Sequence, residues 1–263
     1  MNSTLQSRDE DYLRILENGN LLFMYTLIDL DSIDSTNSFA KREAVSFRDD
    51  SPTYITAHEQ VGGRGRFGNS WVSPKDQNLY LTLAEPVRPQ LQLTHYSYIA
   101  TCAAVSVVHS FGITPHVKWP NDLLVDGKKI CGILVEGTSK GVAPWAIVGI
   151  GLNVNMDPAL LRAIDRPATS LQEMIRGVIS LEEVRQKMIE ALLNTIIWAC
   201  QDPQRCQQHY LSLCSWMKGT HAVVQTATGT LHGTIEGFSS EGFLILRTVE
   251  GKQISVAQGV IEN

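Results

Sequence analysis

Gly63-Arg64-Gly65-Arg66-Phe67-Gly68 sets two arginines between three glycines. These are the first residue types in the chain whose spacing suits chemistry. Glycines let backbone N–H groups approach phosphate oxygens closely. Guanidinium forks are permanently charged and match carboxylate or phosphate. The string also fits G-x-G-x-x-G, but a dinucleotide site of that kind needs a helix to open at the loop. Here Asn69-Ser70-Trp71-Val72-Ser73-Pro74 follows, which is no helix start. Taken alone, the loop is either an anion cradle or a solvated turn with two arginines. Trp71 adds a surface on which a base can stack. A Walker A loop is absent from the sequence.

A second cluster is Lys118-Trp119-Pro120-Asn121-Asp122, a cation, an amide and a carboxylate beside a proline-fixed backbone. Asp122, with Asn121 as an oxygen ligand, suits a hard cation such as Mg²⁺. Lys129 stands where a strand begins. Either its ammonium is aimed, or with Lys128 it keeps a hairpin edge soluble. In Val148-Gly149-Ile150-Gly151-Leu152-Asn153, Gly149 and Gly151 mark close approach by a ligand or a backbone, or a plain bulge.

The elements that must position these residues read as follows. Asp34-Ser35-Thr36-Asn37 before Phe39–Ala44 reads as a helix start. Residues 53–57 and 79–83 read as strands, and 94–111 as a buried helix stopped by Gly112. Two apolar runs flank Asp126-Gly127, which predicts a hairpin with a type I′ turn, with 146–150 as a third strand beside it. Ser180 with Glu183 reads as a capping box. Leu181, Val184, Met188, Ile189, Leu192 and Leu193 then mark a helical face. After Trp216 the texture changes to short strand candidates at 222–224, 231–238, 243–249 and 253–261, predicting a small β-barrel. The class is α+β, with a mixed, largely antiparallel sheet and helices. The division falls into 1–215 and 216–263.

The 263 residues and 43% hydrophobic content exclude bulk disorder. A net charge of −5 argues against a broad nucleic-acid surface. No apolar run reaches spanning length, and residues 1–21 lack signal-peptide order. Five cysteines with no C-x-x-C pair fit a reducing cytoplasm. Cys200, Cys206, His209 and Cys214 are spaced too widely for an ordinary zinc site. They read as a continuing helix whose thiols pack as small hydrophobes.

Four motifs, in order, carry a resemblance. They are Asp34-Ser35-Thr36-Asn37; Gln60 with Gly63-Arg64-Gly65-Arg66 and Trp71-Val72-Ser73-Pro74; Lys118–Asp122 with Lys129-Ile130-Cys131-Gly132-Ile133-Leu134-Val135-Glu136; and Gly149-Ile150-Gly151-Leu152-Asn153. Together, over about Ser32 to Asn155, they resemble the biotin protein ligases. The resemblance implies the biotin/lipoate ligase fold followed by a small SH3-like β-barrel. It also implies a two-step reaction: biotin and ATP give biotinyl-5′-AMP, then a lysine of a carboxylase's biotin carboxyl carrier domain takes the biotinyl group. ATP and Mg²⁺ are the implied cofactors. A lipoate- or octanoate-type enzyme and a non-catalytic biotin-binding regulator are the alternatives.

By the same resemblance, Ser35, Thr36, Asn37, Gln60, Gly63, Gly65, Gly132, Gly149 and Gly151 are biotin contacts. Arg64 and Arg66 form a lid over biotin and phosphate. Lys129 stabilises charge between the biotin carboxyl and the α-phosphate. Trp71, Lys118, Asn121, Asp122 and Asn153 face ATP, with Asp122 toward Mg²⁺. Arg64, Arg66, Asp122 and Lys129 are the expected catalytic set. Phe67, Asn69 and Ser70 stand where the family often carries further basic residues, which implies weaker retention of the adenylate. About 30 residues precede the Ser35 motif, so the expectation is a monofunctional ligase without DNA binding, cytoplasmic, and a monomer or homodimer. The C-terminal unit is expected to help grip ATP or the carrier.

Overall fold

The computed structural model describes residues 7–15, 22–139, 144–214, 217–226, 228–257 and 259–262. The chain opens with β1 (Ser7–Ile15), β2 (Leu22–Ile33), α1 (Thr36–Glu43), β3 (Thr53–Gln60) and β4 (Leu79–Pro86). Next come α2 (Leu93–His109), β5 (His116–Lys118), β6 (Asp122–Val125), β7 (Lys128–Thr138) and β8 (Trp145–Leu152). Four helices follow: α3 (Pro158–Ala163), α4 (Leu171–Ile175), α5 (Leu181–Gln201) and α6 (Pro203–Leu213). The C-terminal strands are β9 (His221–Thr226), β10 (Gly229–Phe238), β11 (Leu244–Arg247), β12 (Gln253–Val256) and β13 (Val260–Glu262).

The first eight strands form one sheet in the order β1-β2-β3-β4-β8-β7-β6-β5. Only β2 and β3 pair in parallel, with α1 as their crossover. The others run antiparallel, so the expected mixed sheet is present. Helix α1 packs on one face over Leu30, Ile55, Ala84 and Ile147. Helices α2, α5 and α6 cover the other face through Leu81, Leu83, Val148 and Ile150. Helix α2 is Ala/Val-rich and buried along nearly its whole length, and Gly112 at φ +76 ends its exit turn. The Asp126-Gly127 turn has both residues at positive φ (49 and 75), as a type I′ turn requires.

Four readings change. The charged N-terminal stretch contributes β1, and β2 runs to Ile33 before the helix start. The segment carrying the cysteines is two helices: α5 ends at Gln201, and Asp202 caps a new helix with Pro203 in its first turn. Cys206 and Cys214 do pack in the core with Cys102 and Tyr210. Residues 253–261 form two strands, β12 and β13, at opposite edges of a five-stranded antiparallel sheet ordered β12-β11-β10-β9-β13. At Ser180 only half of the expected box forms, with the hydroxyl accepting from Glu183 N at 3.3 Å. The unit boundary at 215/216 lies outside the described residues. The C-terminal sheet docks on the main one at Trp119, whose indole N–H donates to Gly242 O at 3.3 Å.

Candidate active site

The N-terminus of α1, the end of β3 and the middle of β4 meet in a buried polar chain. Thr36 donates to Gln60 Oε1 through both its backbone N (2.9 Å) and its hydroxyl (3.1 Å). The Thr82 hydroxyl lies 2.8 Å from both Thr36 Oγ1 and Asn37 Oδ1. Gln60 Nε2 donates to Ser73 Oγ at 3.0 Å, and that hydroxyl donates to Trp71 O at 3.0 Å. Ser35, Thr36 and Asn37 are all buried. Buried polar groups are costly unless paired, so this chain fixes the orientation of Gln60.

The loop from Gly63 to Trp71 is a closed hairpin. Trp71 N donates to Gly63 O at 2.9 Å, and Gly65 N to Asn69 O at 2.7 Å. Phe67 and Gly68 turn it at positive φ (55 and 79). The backbone is extended again at Asn69, so the loop does not open a helix in the Rossmann manner. Gly63 has no room for a side chain: a Cβ would sit 2.4 Å from Trp71 O. Phe67, Asn69 and Ser70 are exposed.

The two loop arginines are held differently. Arg64 Nη2 lies 2.6 Å from Glu136 Oε2. Glu136 also accepts from Asn37 Nδ2 (3.0 Å) and Lys41 Nζ (3.1 Å). Burial pushes the Glu136 carboxyl up, but the donors from Asn37, Lys41 and Arg64 outweigh it and hold the group below its ordinary value. Arg66 is half-buried. Its Nη1 donates to Asn121 Oδ1 (3.2 Å) and Gly259 O (3.3 Å), and among the described residues it forms no ion pair. Burial lowers its proton affinity, with Asp122 opposing.

Lys129 Nζ lies 2.6 Å from Asp122 Oδ1, an ion pair whose angles fall outside hydrogen-bond geometry. It also sits 5.2 Å over the Trp71 ring. Its backbone is clamped, with N donating to Pro167 O (2.8 Å) and O accepting from Thr169 N (2.9 Å). The ammonium is therefore aimed into the site, not along a solvated edge. Asn121 is tied to Ile133 in both directions, side chain and backbone. The neighbouring Cys131 thiol is buried, and burial pushes it up to about 12, so it stays protonated.

Two cavities share these residues. One, of about 60 Å³, is lined by Ser35, Thr36, Asn37, Gln60, Gly132 and Gly149 among others. The other, of about 310 Å³, is lined by Lys118, Asp122, Asn153, Val260 and Ile261 among others. Gly65, Arg66, Trp71, Asn121 and Lys129 border both. The glycine wall also seats protein side chains. A Cβ on Gly149 would fall 2.3 Å from Asn37 Oδ1, and one on Gly151 2.5 Å from Trp71 Cε2. A Cβ on Gly132 would fall 2.9 Å from Trp71 Cζ3. The side-chain amide of Asn153 is occupied by Thr169 O at 3.0 Å. The structure thus gathers the residues expected at the site around these two cavities except Gly63, which lines neither and packs against Trp71, Ser73 and Gln60; Asn37 and Asn153 are already hydrogen-bonded within the protein. Thr82, Ser73 and Glu136 were not assigned roles from sequence. A threonine inside the apolar Leu79–Leu83 strand was the available signal for Thr82.

An arginine free of carboxylates and a lysine between two cavities can bring a carboxylate and a phosphate together, since fixed cations offset their repulsion. The Biotin/lipoate A/B protein ligase family matches residues 30–153. The chain is 32% identical over 237 residues to the bifunctional ligase/repressor BirA of Bacillus spizizenii, covering 86% of this chain and 70% of that protein. It is 29% identical to the biotin–[acetyl-CoA-carboxylase] ligase of Paracoccus denitrificans, covering 86% of this chain and 96% of that one. The structure of the Aquifex aeolicus biotin protein ligase in complex with biotin and ATP superposes with a TM-score of 0.75 at 26% identity, covering 90% of this chain and 97% of that one. The chain belongs to the biotin/lipoate A/B protein ligase family, within its biotin–protein ligases.

Proposed function

We propose that the chain joins biotin to ATP and then passes the biotinyl group to a lysine of a biotin carboxyl carrier domain. In the first step a biotin carboxylate oxygen attacks the α-phosphorus, forming the acyl–phosphate bond of biotinyl-5′-AMP as pyrophosphate leaves. In the second, the neutral lysine amine attacks the acyl carbon, an amide forms, and AMP leaves with the bonding pair. The observation that carries this reading is Arg66: a half-buried guanidinium bordering both cavities, hydrogen-bonded to neutral oxygens and stacked over the Phe67 ring, with no carboxylate among its hydrogen-bond partners.

In this reading the smaller cavity takes biotin. Ser35, Thr36 and Gln60 meet its ring, and Asn37 holds the pocket's polar chain in place. Gly63, Gly65, Gly132, Gly149 and Gly151 allow the close fit. The larger cavity takes ATP, with Lys118, Asn121, Asp122 and Asn153 along it and Trp71 against the base. Lys129 and Arg66 stabilise charge at the junction, and Arg64 closes the loop over it. Mg²⁺ generally binds through one or two carboxylates plus phosphate oxygens. Asp122, paired with Lys129, offers one carboxylate of that kind, so the residues fit a metal carried in by the nucleotide. Such an ion neutralises phosphate charge. Residues 1–215 form the catalytic unit and 216–263 the C-terminal one. The reading places the protein in the cytoplasm, in keeping with its free thiols, and a net charge of −5 gives it no broad DNA-binding surface.

The test is mass spectrometry of a carrier domain incubated with the protein, biotin, ATP and Mg²⁺. A mass increase of one biotinyl group is expected, and Lys129→Ala should abolish it. An unmodified carrier alongside unchanged ATP would overturn the reading. Modification with lipoate in place of biotin would favour the lipoate-type alternative.

A further inference from the structure

The glycine–arginine hairpin sits on a longer excursion of the chain between β3 and β4. The ladder between those strands ends at Thr56–Leu81. Past it, the returning limb is tied down at three successive residues. Pro74 O accepts from the Tyr80 hydroxyl at 2.8 Å. Lys75 Nζ lies 2.6 Å from Asp31 Oδ1 on β2. Asp76 meets His58 twice: its backbone N donates to His58 O at 3.0 Å, and its Oδ1 lies 2.6 Å from His58 Nδ1. Asp76 does so at φ +57, a left-handed conformation that aspartate tolerates better than most residues.

Ser73 comes just before this anchor. Its hydroxyl accepts from Gln60 Nε2 and donates to Trp71 O, both at 3.0 Å. Gln60 and Trp71 both line the smaller cavity. The anchor therefore reaches the biotin side of the site through Ser73.

The surroundings of His58 favour its charged form. Asp29 Oδ2 lies 3.7 Å from Nε2, on the ring edge away from Asp76. Asp31 feels the charge of the ring. From α5, Glu182 and Arg185 line the same cavity of about 200 Å³ as His58 and Asp29. Arg185 is paired with both Asp29 and Glu182, and Lys75 with Asp31. Asp29, Asp31, Asp76 and Glu182 thus outweigh Arg185 and Lys75 around the imidazole. Histidine is the side chain that ordinarily changes charge between about pH 5 and 8.

We propose that His58 and Asp76 are a positioning pair for the biotin cavity: they pin the limb that carries Ser73, and protonation of His58 tightens the pin, so that biotin binds more strongly on the acid side of neutrality. The proposal rests on the biotin reading above. A limb already pinned costs less ordering when the ligand arrives. The two side chains are 47% and 58% exposed, and ion pairs so open to water are worth at most about fivefold in an equilibrium.

The experiment is calorimetric titration of the full chain with biotin at about pH 6 and about pH 8, with melting temperature followed in parallel. Wild-type affinity is expected to fall about two- to fivefold between the two. His58→Gln should bind biotin about two- to fivefold more weakly than wild type at the lower pH and show no such fall. His58→Lys, which keeps a cation beside Asp76 at both pH values, should retain the tighter affinity throughout. In a Ser73→Ala background, where the link from the anchor to Gln60 is already cut, His58→Gln should cause no further loss. Wild-type affinity in His58→Gln at the lower pH overturns the proposal. So does a pH dependence that survives in His58→Lys, or a loss that simply multiplies with that of Ser73→Ala. Absence of biotin binding by the wild type instead overturns the biotin reading.

Discussion

Arg64 reaches the Glu136 carboxylate at 2.6 Å, whereas Arg66, two residues on, hydrogen-bonds to the neutral oxygens of Asn121 and Gly259 and lies over the Phe67 ring. Adjacent loop arginines of the same type therefore have different jobs. The first ties the loop to β7, and in the proposed reading the second keeps its charge for the ligand.

It follows that the two are not interchangeable in activity. Arg66→Ala should lower biotin-dependent pyrophosphate release by about 10²–10³, the usual loss for one preorganised charge-stabilising donor. Arg64→Ala loosens the loop and should act mainly on the KM for biotin, by roughly tenfold, with kcat affected less. Steady-state kinetics on both variants separate these outcomes. Equal effects on kcat would contradict the assignment.

Glu136 gathers Arg64, Lys41 and Asn37, and its carboxyl is held below its ordinary value of 4.5. A carboxylate with a lowered folded-state pKa binds its proton more readily in the unfolded chain. Its stabilisation is thus fully present above about pH 4.5 and is lost as the pH falls through the lower folded value. Glu136→Gln should melt earlier than wild type at neutral pH, by an amount on the order of 1–2 kcal/mol. The two melting curves should converge once the pH has fallen below that lowered folded value. A gap that is constant across pH 3–8 would show that the carboxylate charge contributes nothing.

Gly149 is required by Asn37. A methyl group at Gly149 would need to occupy space 2.3 Å from Asn37 Oδ1, inside a strand flanked on both sides by partners. Gly149→Ala should cost about 1–3 kcal/mol by overpacking. It should also weaken biotin binding, because Asn37, Thr82 and Thr36 move together. Asn37→Ala in the same chain makes room, so the double variant should melt above Gly149→Ala alone. Calorimetric titration and thermal melting check both points.

Much of this was legible because it is local. The Asp126-Gly127 turn, the glycine that ends α2 and the four motif strings each depend on neighbours a few residues away. The partners that complete the site do not. Thr82 lies 46 residues from Thr36, Glu136 lies 72 from Arg64, and Gly259 lies 193 from Arg66. Only folding of the sheet and docking of the C-terminal strands bring them together. The run Ser7-Arg8-Asp9-Glu10-Asp11 gave no apolar alternation by which β1 could be recognised; its pairing with β2 shows it. Asp202-Pro203 interrupts a helical pattern whose apolar residues continue on either side, so one helix was read where there are two.

Trp71 divides the two cavities. Its indole lies against Gly132 and Gly151 under the Lys129 ammonium, and its buried Nε1 has no hydrogen-bond partner. A buried donor left unpaired carries a cost of about 1–3 kcal/mol, which favours any rearrangement that satisfies it. The biotin-side cavity, at about 60 Å³, is also well below the roughly 300 Å³ at which small-molecule pockets begin. In the proposed reading biotin displaces the ring as it enters, and the Gly63–Trp71 hairpin moves with it. Stopped-flow tryptophan fluorescence should show a fast, concentration-dependent phase followed by a slower phase whose rate saturates with biotin. Trp71→Phe should remove most of the slow-phase amplitude while the other four tryptophans remain. A single phase whose rate rises linearly with biotin, unchanged in Trp71→Phe, would mean that the ring stays where it is and that biotin enters by another path.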